Sequence, residues 1–116
     1  MAVELTTGEA LRLWKAVHLH FVRDGEPDLS VRQMAILLTV YLDAPPHTVR
    51  GLASKLAVSK PVITRALDSM GRHDLLTRRR DEEDRRNVLV QRTVKGALYL
   101  ERVGDTIRAL AKDLSR

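Results

Sequence analysis

The stretch VRGLASKLAVSKPVITRALDSM, residues 49–70, contains two short helical patterns with almost no chain between them. Thr48 is a suitable N-cap for the first pattern, and Ser59 is one for the second. Pro61 falls in the first turn of the second pattern, where proline is tolerated. Only residues 57–58 separate the two patterns. Two helices joined by so short a turn must cross steeply.

The second helix of this stretch, about residues 60–72, has an apolar face and a polar face. Because residues three and four apart share a face of a helix, its apolar side chains must pack inward. Asp74, a residue type that tolerates the left-handed conformation, is the expected stop. The inward residues are Ile63, Ala66, Leu67 and Met70, and the free face carries Lys60, Pro61, Thr64, Arg65 and Asp68.

Two capping boxes predict longer helices upstream. The first helix covers about residues 7–23 and should stop at Gly25. The second ends at about Asp43, before two consecutive prolines. In each box the side chains of two residues three apart satisfy free N–H groups at the helix start. The boxes pair Thr6 with Glu9 and Ser30 with Gln33.

Downstream, the segment LLTRRRDEEDRRNVLVQRT, residues 75–93, carries dense charge between two short strand-like runs. The first run is residues 75–80, and the second, residues 88–93, is rich in β-branched side chains. A helix is the competing prediction, but no apolar stripe through residues 77–87 would bury it. The segment is therefore predicted to form a β-hairpin with a charged tip.

The rest of the chain is predicted to form one last helix, residues 94–115, with Thr93 as N-cap. Its apolar residues step by three and four, which is the spacing of a coiled-coil seam. This seam either packs on the chain's own first helix or joins two subunits. We expect a subunit interface that includes Leu11 and Trp14 of the first helix. The seam consists of Leu100, Val103, Ile107, Leu110 and Leu114.

The charge of the chain is concentrated in its middle. The net charge is +5, while residues 50–95 alone hold twelve basic and six acidic residues. This excess predicts a polyanionic partner. One Trp, two Tyr and one Phe are too few for a platform that stacks single-stranded bases, so binding of single-stranded nucleic acid is disfavoured. These aromatic residues are expected in the core.

Other classes of function find little support in the sequence. The chain has no cysteine and no glycine-rich phosphate loop, and His18 and His20 are spaced so that they point to different helix faces. We therefore expect no metal, no cofactor and no enzyme activity. The first residues lack the pattern of a signal peptide and no stretch is long enough to span a membrane, which predicts a cytoplasmic protein.

The predicted order of elements is that of a winged helix-turn-helix, mainly α with a small β-hairpin, and the sequence resembles the MarR family of bacterial transcriptional regulators. The resemblance is carried by residues 49–70, by the DRR of residues 84–86 and by the T-x-x-G of residues 93–96. It covers essentially the whole chain. Members of this family usually have one further C-terminal helix, and they usually have leucine where this chain has Arg92. That arginine suggests a thinner core under the wing or an extra phosphate contact.

The resemblance implies that the helix matching residues 59–70 enters the major groove of DNA. The hairpin would be a wing that reaches the minor groove, and the terminal helices would form a dimerisation lobe. The major-groove residues would be Ser59, Lys60, Pro61, Thr64 and Arg65. The wing residues would be Arg78, Arg80, Arg85 and Arg86, with Asp84 orienting a neighbouring arginine.

We therefore expect one domain over residues 1–116, with a DNA-binding core over about residues 30–93. The predicted function is that of a homodimeric, sequence-selective regulator that binds double-stranded DNA, most often as a repressor. A protein-interaction module that uses the acidic wing tip and a general chromosome-binding protein are the alternatives. A small-molecule effector has no support in the sequence.

Overall fold

The computed structural model describes residues 3–24 and 26–114, which contain five helices and three strands. The predicted mainly α winged helix-turn-helix order is confirmed, with one further short strand. The predicted stop at Gly25 and the predicted end of the last helix at residue 115 lie outside the described residues. The helices are α1 (Thr7–Asp24), α2 (Val31–Leu42), α3 (Val49–Leu56), α4 (Lys60–Arg72) and α5 (Val94–Asp113), and the strands are β1 (His47–Thr48), β2 (Leu76–Arg80) and β3 (Val88–Arg92).

Most of the predicted caps are present. Both capping boxes form, and the Thr48 hydroxyl accepts a hydrogen bond of 2.9 Å from the backbone N–H of Gly51. Ser59 lies at the N-cap position of α4, but its side chain makes no capping hydrogen bond. Asp74 adopts the predicted left-handed conformation with φ 57°, and so does Ala57 in the turn between α3 and α4. This turn lets α4 begin immediately after α3.

The strands form one antiparallel sheet in the order β1-β3-β2. Arg78 pairs with Val90 and Leu76 pairs with Arg92 across the hairpin. Because side chains directly opposite each other share a face, Leu76, Arg78, Val90 and Arg92 lie on one side of the sheet. Leu76 and Val90 are buried on that side, so Arg78 and Arg92 extend along the face that carries the core.

The chain divides into two compact units. One comprises Leu29–Leu100 and contains α2, α3, α4, the sheet and the first residues of α5. The other contains α1 and the part of α5 from Glu101 onward. The single domain over residues 1–116 stays a prediction. The core of the larger unit includes Ile36, Leu37, Val40, Leu52, Ile63, Leu67, Met70 and Leu75.

Tyr41 joins α2 to the start of α5 and thereby explains the T-x-x-G segment. Its hydroxyl accepts a hydrogen bond of 2.9 Å from Thr93 N–H and lies 2.8 Å from the Thr93 carbonyl oxygen. Thr93 caps α5 through a 2.9 Å bond from Gly96 N–H to its hydroxyl, which also donates to the Asp74 carbonyl at 2.7 Å. A Cβ at Gly96 would overlap the Tyr41 hydroxyl and the Leu75 carbonyl oxygen. Only glycine fits there without displacement of its neighbours.

Candidate nucleic-acid interface

The polar face of α4 is accessible along its length. Its apolar face is fixed in the core, where Ile63, Ala66, Leu67 and Met70 are all buried as predicted. A helix held in this way presents its other side in a fixed orientation. All five residues predicted to read the major groove are exposed, namely Ser59, Lys60, Pro61, Thr64 and Arg65.

The tip of the hairpin is closed by hydrogen bonds within the loop. Asp81 N–H donates to the Asn87 carbonyl at 3.1 Å, and Asn87 N–H donates to the Asp84 carbonyl at 2.9 Å. The Asp81 carboxylate accepts a 3.0 Å bond from the backbone N–H of Glu83. Asp81 is thus a structural residue of the turn.

Asp84 holds Arg86 through three hydrogen bonds. Nε of Arg86 lies 3.0 Å from Oδ1, Nη2 lies 3.1 Å from Oδ2, and the backbone N–H of Arg86 lies 3.2 Å from Oδ1. These bonds lower the pKa of the Asp84 carboxyl, with a smaller contribution from the charge of Arg50. Asp84 therefore pairs with Arg86, whose side chain is 81% exposed, and its role in orienting that arginine toward DNA stays a prediction.

Arg85 and Arg80 are linked through the backbone of the loop. Nη1 of Arg80 donates a 2.7 Å hydrogen bond to the Arg85 carbonyl, so the Arg80 side chain braces the wing tip. The Arg85 guanidinium is 3.9 Å from the Glu82 carboxylate in an exposed pair. Such a pair contributes little free energy. The side chains of Arg85 and Arg86 are 77% and 81% exposed.

Arg78 lies in a place that the sequence did not indicate. Its Nη2 is 2.6 Å from Oδ1 of Asp68 on α4, which forms an ion pair between the wing and the helix predicted to enter the major groove. The Arg78 side chain is 35% exposed and that of Asp68 is 53% exposed. Sequence reasoning placed Asp68 on the free face of α4 but assigned it no role. This ion pair depends on how strand β2 lies beside α4, and the spacing of residues along one helix carries no information about that.

Arg92 makes contacts that the sequence did not indicate. Its Nε donates a 2.9 Å hydrogen bond to the Val40 carbonyl, and its Nη2 donates to the Asp43 carbonyl at 3.3 Å. The guanidinium also lies 5.6 Å from the centre of the Tyr41 ring. A cation is favourable at a helix C-terminus, where carbonyl groups lack partners. Arg92 therefore joins β3, the central strand of the sheet, to the end of α2.

The residues expected at a subunit interface differ in exposure. Leu11 and Trp14 of α1 are 64% and 62% exposed, so the expectation that Trp14 lies in the core of this chain is wrong. Tyr99 is buried as expected. The five seam residues of α5 are partly buried, and they are Leu100, Val103, Ile107, Leu110 and Leu114.

Two further properties concern the described part of the chain. Over residues 3–24 and 26–114, no group of three or more His, Asp or Glu side chains is arranged to hold a metal ion. In the same residues, no helix combines the length and the apolar character needed to cross a membrane.

Comparison with known proteins agrees with the fold. The chain is 29% identical over 93 residues to the HTH-type transcriptional regulator YkoM of Bacillus subtilis, covering 79% of this chain and 60% of that protein. It is 38% identical over 68 residues to the organic hydroperoxide resistance transcriptional regulator of the same organism, covering 56% of this chain and 46% of that protein. The chain therefore spans less than two thirds of the length of either relative.

A solved structure and a family model complete the comparison. The transcriptional regulator Tm0710 of Thermotoga maritima superposes with a TM-score of 0.74 at 22% identity, over 91% of this chain and 72% of that chain. Residues 29–88 match the model of the MarR family, and they include α2, α3, α4 and most of the wing. Because that match covers more than half of the 116 residues, the chain belongs to the MarR family.

Proposed function

We propose that this chain is a cytoplasmic transcriptional regulator that binds double-stranded DNA sequence-selectively as a homodimer and acts as a repressor. The observation that carries the proposal is the exposed polar face of α4 beside a wing whose tip exposes Arg85 and Arg86. The excess positive charge of residues 50–95 supports a polyanionic partner. Membership of a family of regulators supports the same class of function.

The chemistry of α4 suits direct reading of base edges. An α-helix fits the major groove of B-DNA, which is about 12 Å wide and presents a distinct donor and acceptor pattern for each base pair. Arg65 supplies a guanidinium that can bind guanine through two hydrogen bonds, and Thr64 supplies a hydroxyl and a methyl group. Both side chains are exposed and lie on the same helix face as Lys60 and Pro61. These residues would therefore discriminate between sequences.

The wing suits the minor groove. A narrow, A·T-rich minor groove concentrates negative potential and attracts an inserted arginine. Asp84 holds Arg86 in one orientation by charge-assisted hydrogen bonds, which reduces the side-chain entropy lost on insertion. We assign Arg86 as the main wing contact, with Arg85 beside it.

The dimer rests on the apolar side chains of α1 and α5. Leu11 and Trp14 expose large apolar surfaces, and the α5 seam has the spacing of a helix that pairs with another. A twofold dimer of this kind reads two half-sites about one helical turn apart, on the order of 34 Å. A dimer on such a site would exclude RNA polymerase from an overlapping promoter, which is why repression is proposed.

Genome-wide selection of DNA fragments bound by the purified protein tests the proposal. We expect enrichment of a short palindromic site whose two halves are about ten base pairs apart. Diffuse enrichment of A·T-rich fragments without a shared site would contradict the proposal and favour a general chromosome-binding protein. Absence of enrichment, with a protein partner captured through the acidic wing tip, would favour the interaction module.

A further inference from the structure

The Asp68–Arg78 ion pair places a carboxylate on the helix proposed to enter the major groove. Asp68 follows Thr64 by four residues and Arg65 by three, so it shares their side of α4. Its Oδ1 lies 2.6 Å from Nη2 of Arg78 in strand β2. The pair thus connects the base-reading face to the wing.

A bare carboxylate at this place would be repelled by the phosphates that border the groove. Arg78 neutralises it, and in turn Asp68 occupies a guanidinium that the family resemblance places among the DNA-binding residues of the wing. The pair is exposed on both sides, and exposed pairs contribute between about 0 and 1 kcal/mol. A well-placed phosphate can therefore displace Asp68, while a loosely approaching one gains little by doing so.

The ion pair of Asp84 with Arg86 in the wing differs in geometry from the ion pair of Asp68 with Arg78. Asp84 binds Arg86 with both carboxylate oxygens and adds a bond to the backbone of the same residue. Asp68 binds Arg78 through one oxygen at the end of two side chains from different elements. The first arrangement fixes the direction of an arginine within the loop. The second leaves Arg78 free to exchange its partner.

We propose that Asp68 is a specificity-determining residue that withholds Arg78 from DNA phosphates until α4 is seated on its preferred site. This inference rests on the proposed DNA-binding function. By competing for Arg78, Asp68 weakens binding to arbitrary duplexes, which is largely electrostatic and insensitive to sequence. On the preferred site the base contacts hold α4 in place, and Arg78 exchanges the carboxylate for a phosphate.

The test is a double-mutant cycle with Asp68→Asn, Arg78→Gln and both together. Dissociation constants are measured by fluorescence anisotropy on the selected site and on a shuffled duplex at several salt concentrations. We expect Asp68→Asn to bind the shuffled duplex up to about fivefold more tightly and to steepen the dependence of log affinity on log salt by about 0.9. In the Arg78→Gln background, Asp68→Asn removes only the repulsion between an unpaired carboxylate and the phosphates, so it should tighten binding less than in the unaltered background and should leave the salt slope unchanged.

Asp43→Asn is the matched control. Asp43 forms a similar exposed pair with Lys55 at 2.8 Å, so its substitution frees one lysine and adds the same unit of positive charge away from α4. We expect a smaller change in affinity for the shuffled duplex than Asp68→Asn causes. Thermal unfolding of all variants verifies that each is folded under the conditions of the titrations.

The outcomes separate this inference from the proposed function. The unaltered protein could bind selectively while Asp68→Asn has the same effect whether or not Arg78 is present. That result would overturn the role of Asp68 and leave the proposed function standing. An altered preference at one base pair with an unchanged salt slope would identify Asp68 as a base contact and also overturns it. Failure of the unaltered protein to bind duplex DNA overturns both.

Discussion

At the scale of single residues, the position of the wing depends on contacts that are distant in sequence. Tyr41 joins Thr93 across 52 residues, and Arg92 reaches Val40 across the same separation. Thr93 was predicted as a cap because capping is a local property. The hydroxyl of Tyr41 could not be predicted, since a phenol on a helix surface gives no indication of which carbonyl it will meet. Arg92 was likewise visible only as a departure from a leucine.

Gly96→Ala tests the close approach of α5 to Tyr41. Alanine ordinarily stabilises a helix by about 1 kcal/mol relative to glycine. Here the added Cβ would overlap the Tyr41 hydroxyl and a backbone oxygen, so we expect the free energy of unfolding to fall by about 1–3 kcal/mol. Urea titration followed by circular dichroism measures this change. Gly71→Ala is the control, because a Cβ there meets no described atom within 4 Å apart from its chain neighbours and the backbone of its own helix. This substitution should therefore leave stability equal or higher.

At the scale of elements, the helices were predicted most accurately because their starts are determined locally. The capping boxes and the Thr48 cap all form where the sequence indicates. Strand β1 was missed, since two residues between prolines and a helix carry no periodicity and pair only because β3 lies beside them. Ser59 marks the correct position without making the expected bond. In the wing, the hairpin was predicted, whereas the partner of Arg78 depends on how the wing lies against α4.

The wing should contribute most where the minor groove is narrow. We expect Arg86→Ala to weaken binding by roughly tenfold or more on a site flanked by A-tracts and by less on a site with G·C flanks. Arg85→Ala should have the same sign with a smaller effect, because Asp84 fixes only Arg86. Anisotropy titrations on the two duplexes provide the comparison. Arg102→Ala on α5 removes the same charge and serves as control, and indifference of both wing variants to flank sequence would remove the wing from the DNA-binding account.

At the scale of the whole molecule, the account requires two copies of the chain. The apolar seam of α5, together with Leu11 and Trp14 of α1, predicted a second copy from the sequence. The structure of a single chain does not show the contacts that a partner would make. Leu11 and Trp14 are exposed in the single chain. Their place in a subunit interface stays a prediction. The family could be recognised from the motifs in residues 49–70, 84–86 and 93–96, and residues 29–88 match its model. The DNA sequence of the operator cannot be predicted in this way, since base preference depends on how α4 lies in the major groove of the bound DNA.

Ile107→Asp tests the dimer. A charge in the middle of the apolar seam would have to be desolvated without a partner, so the variant should be monomeric. Light scattering at micromolar concentration should give about twice the chain mass of 13.1 kDa for the unaltered protein and about that mass for the variant. Arg108→Asp, at an exposed neighbouring position, should remain dimeric. A monomeric unaltered protein at this concentration would show the subunit assignment to be wrong.

Selective recognition of DNA by α4 is tested most directly by one titration. The unaltered protein and Arg65→Ala are each measured at one salt concentration on the selected site and on a shuffled duplex of equal composition. The account predicts that the unaltered protein prefers the selected site by about a thousandfold or more. It also predicts that Arg65→Ala loses about 1–3 kcal/mol on the selected site with little change on the shuffled duplex. Equal affinity of the unaltered protein for both duplexes would contradict it.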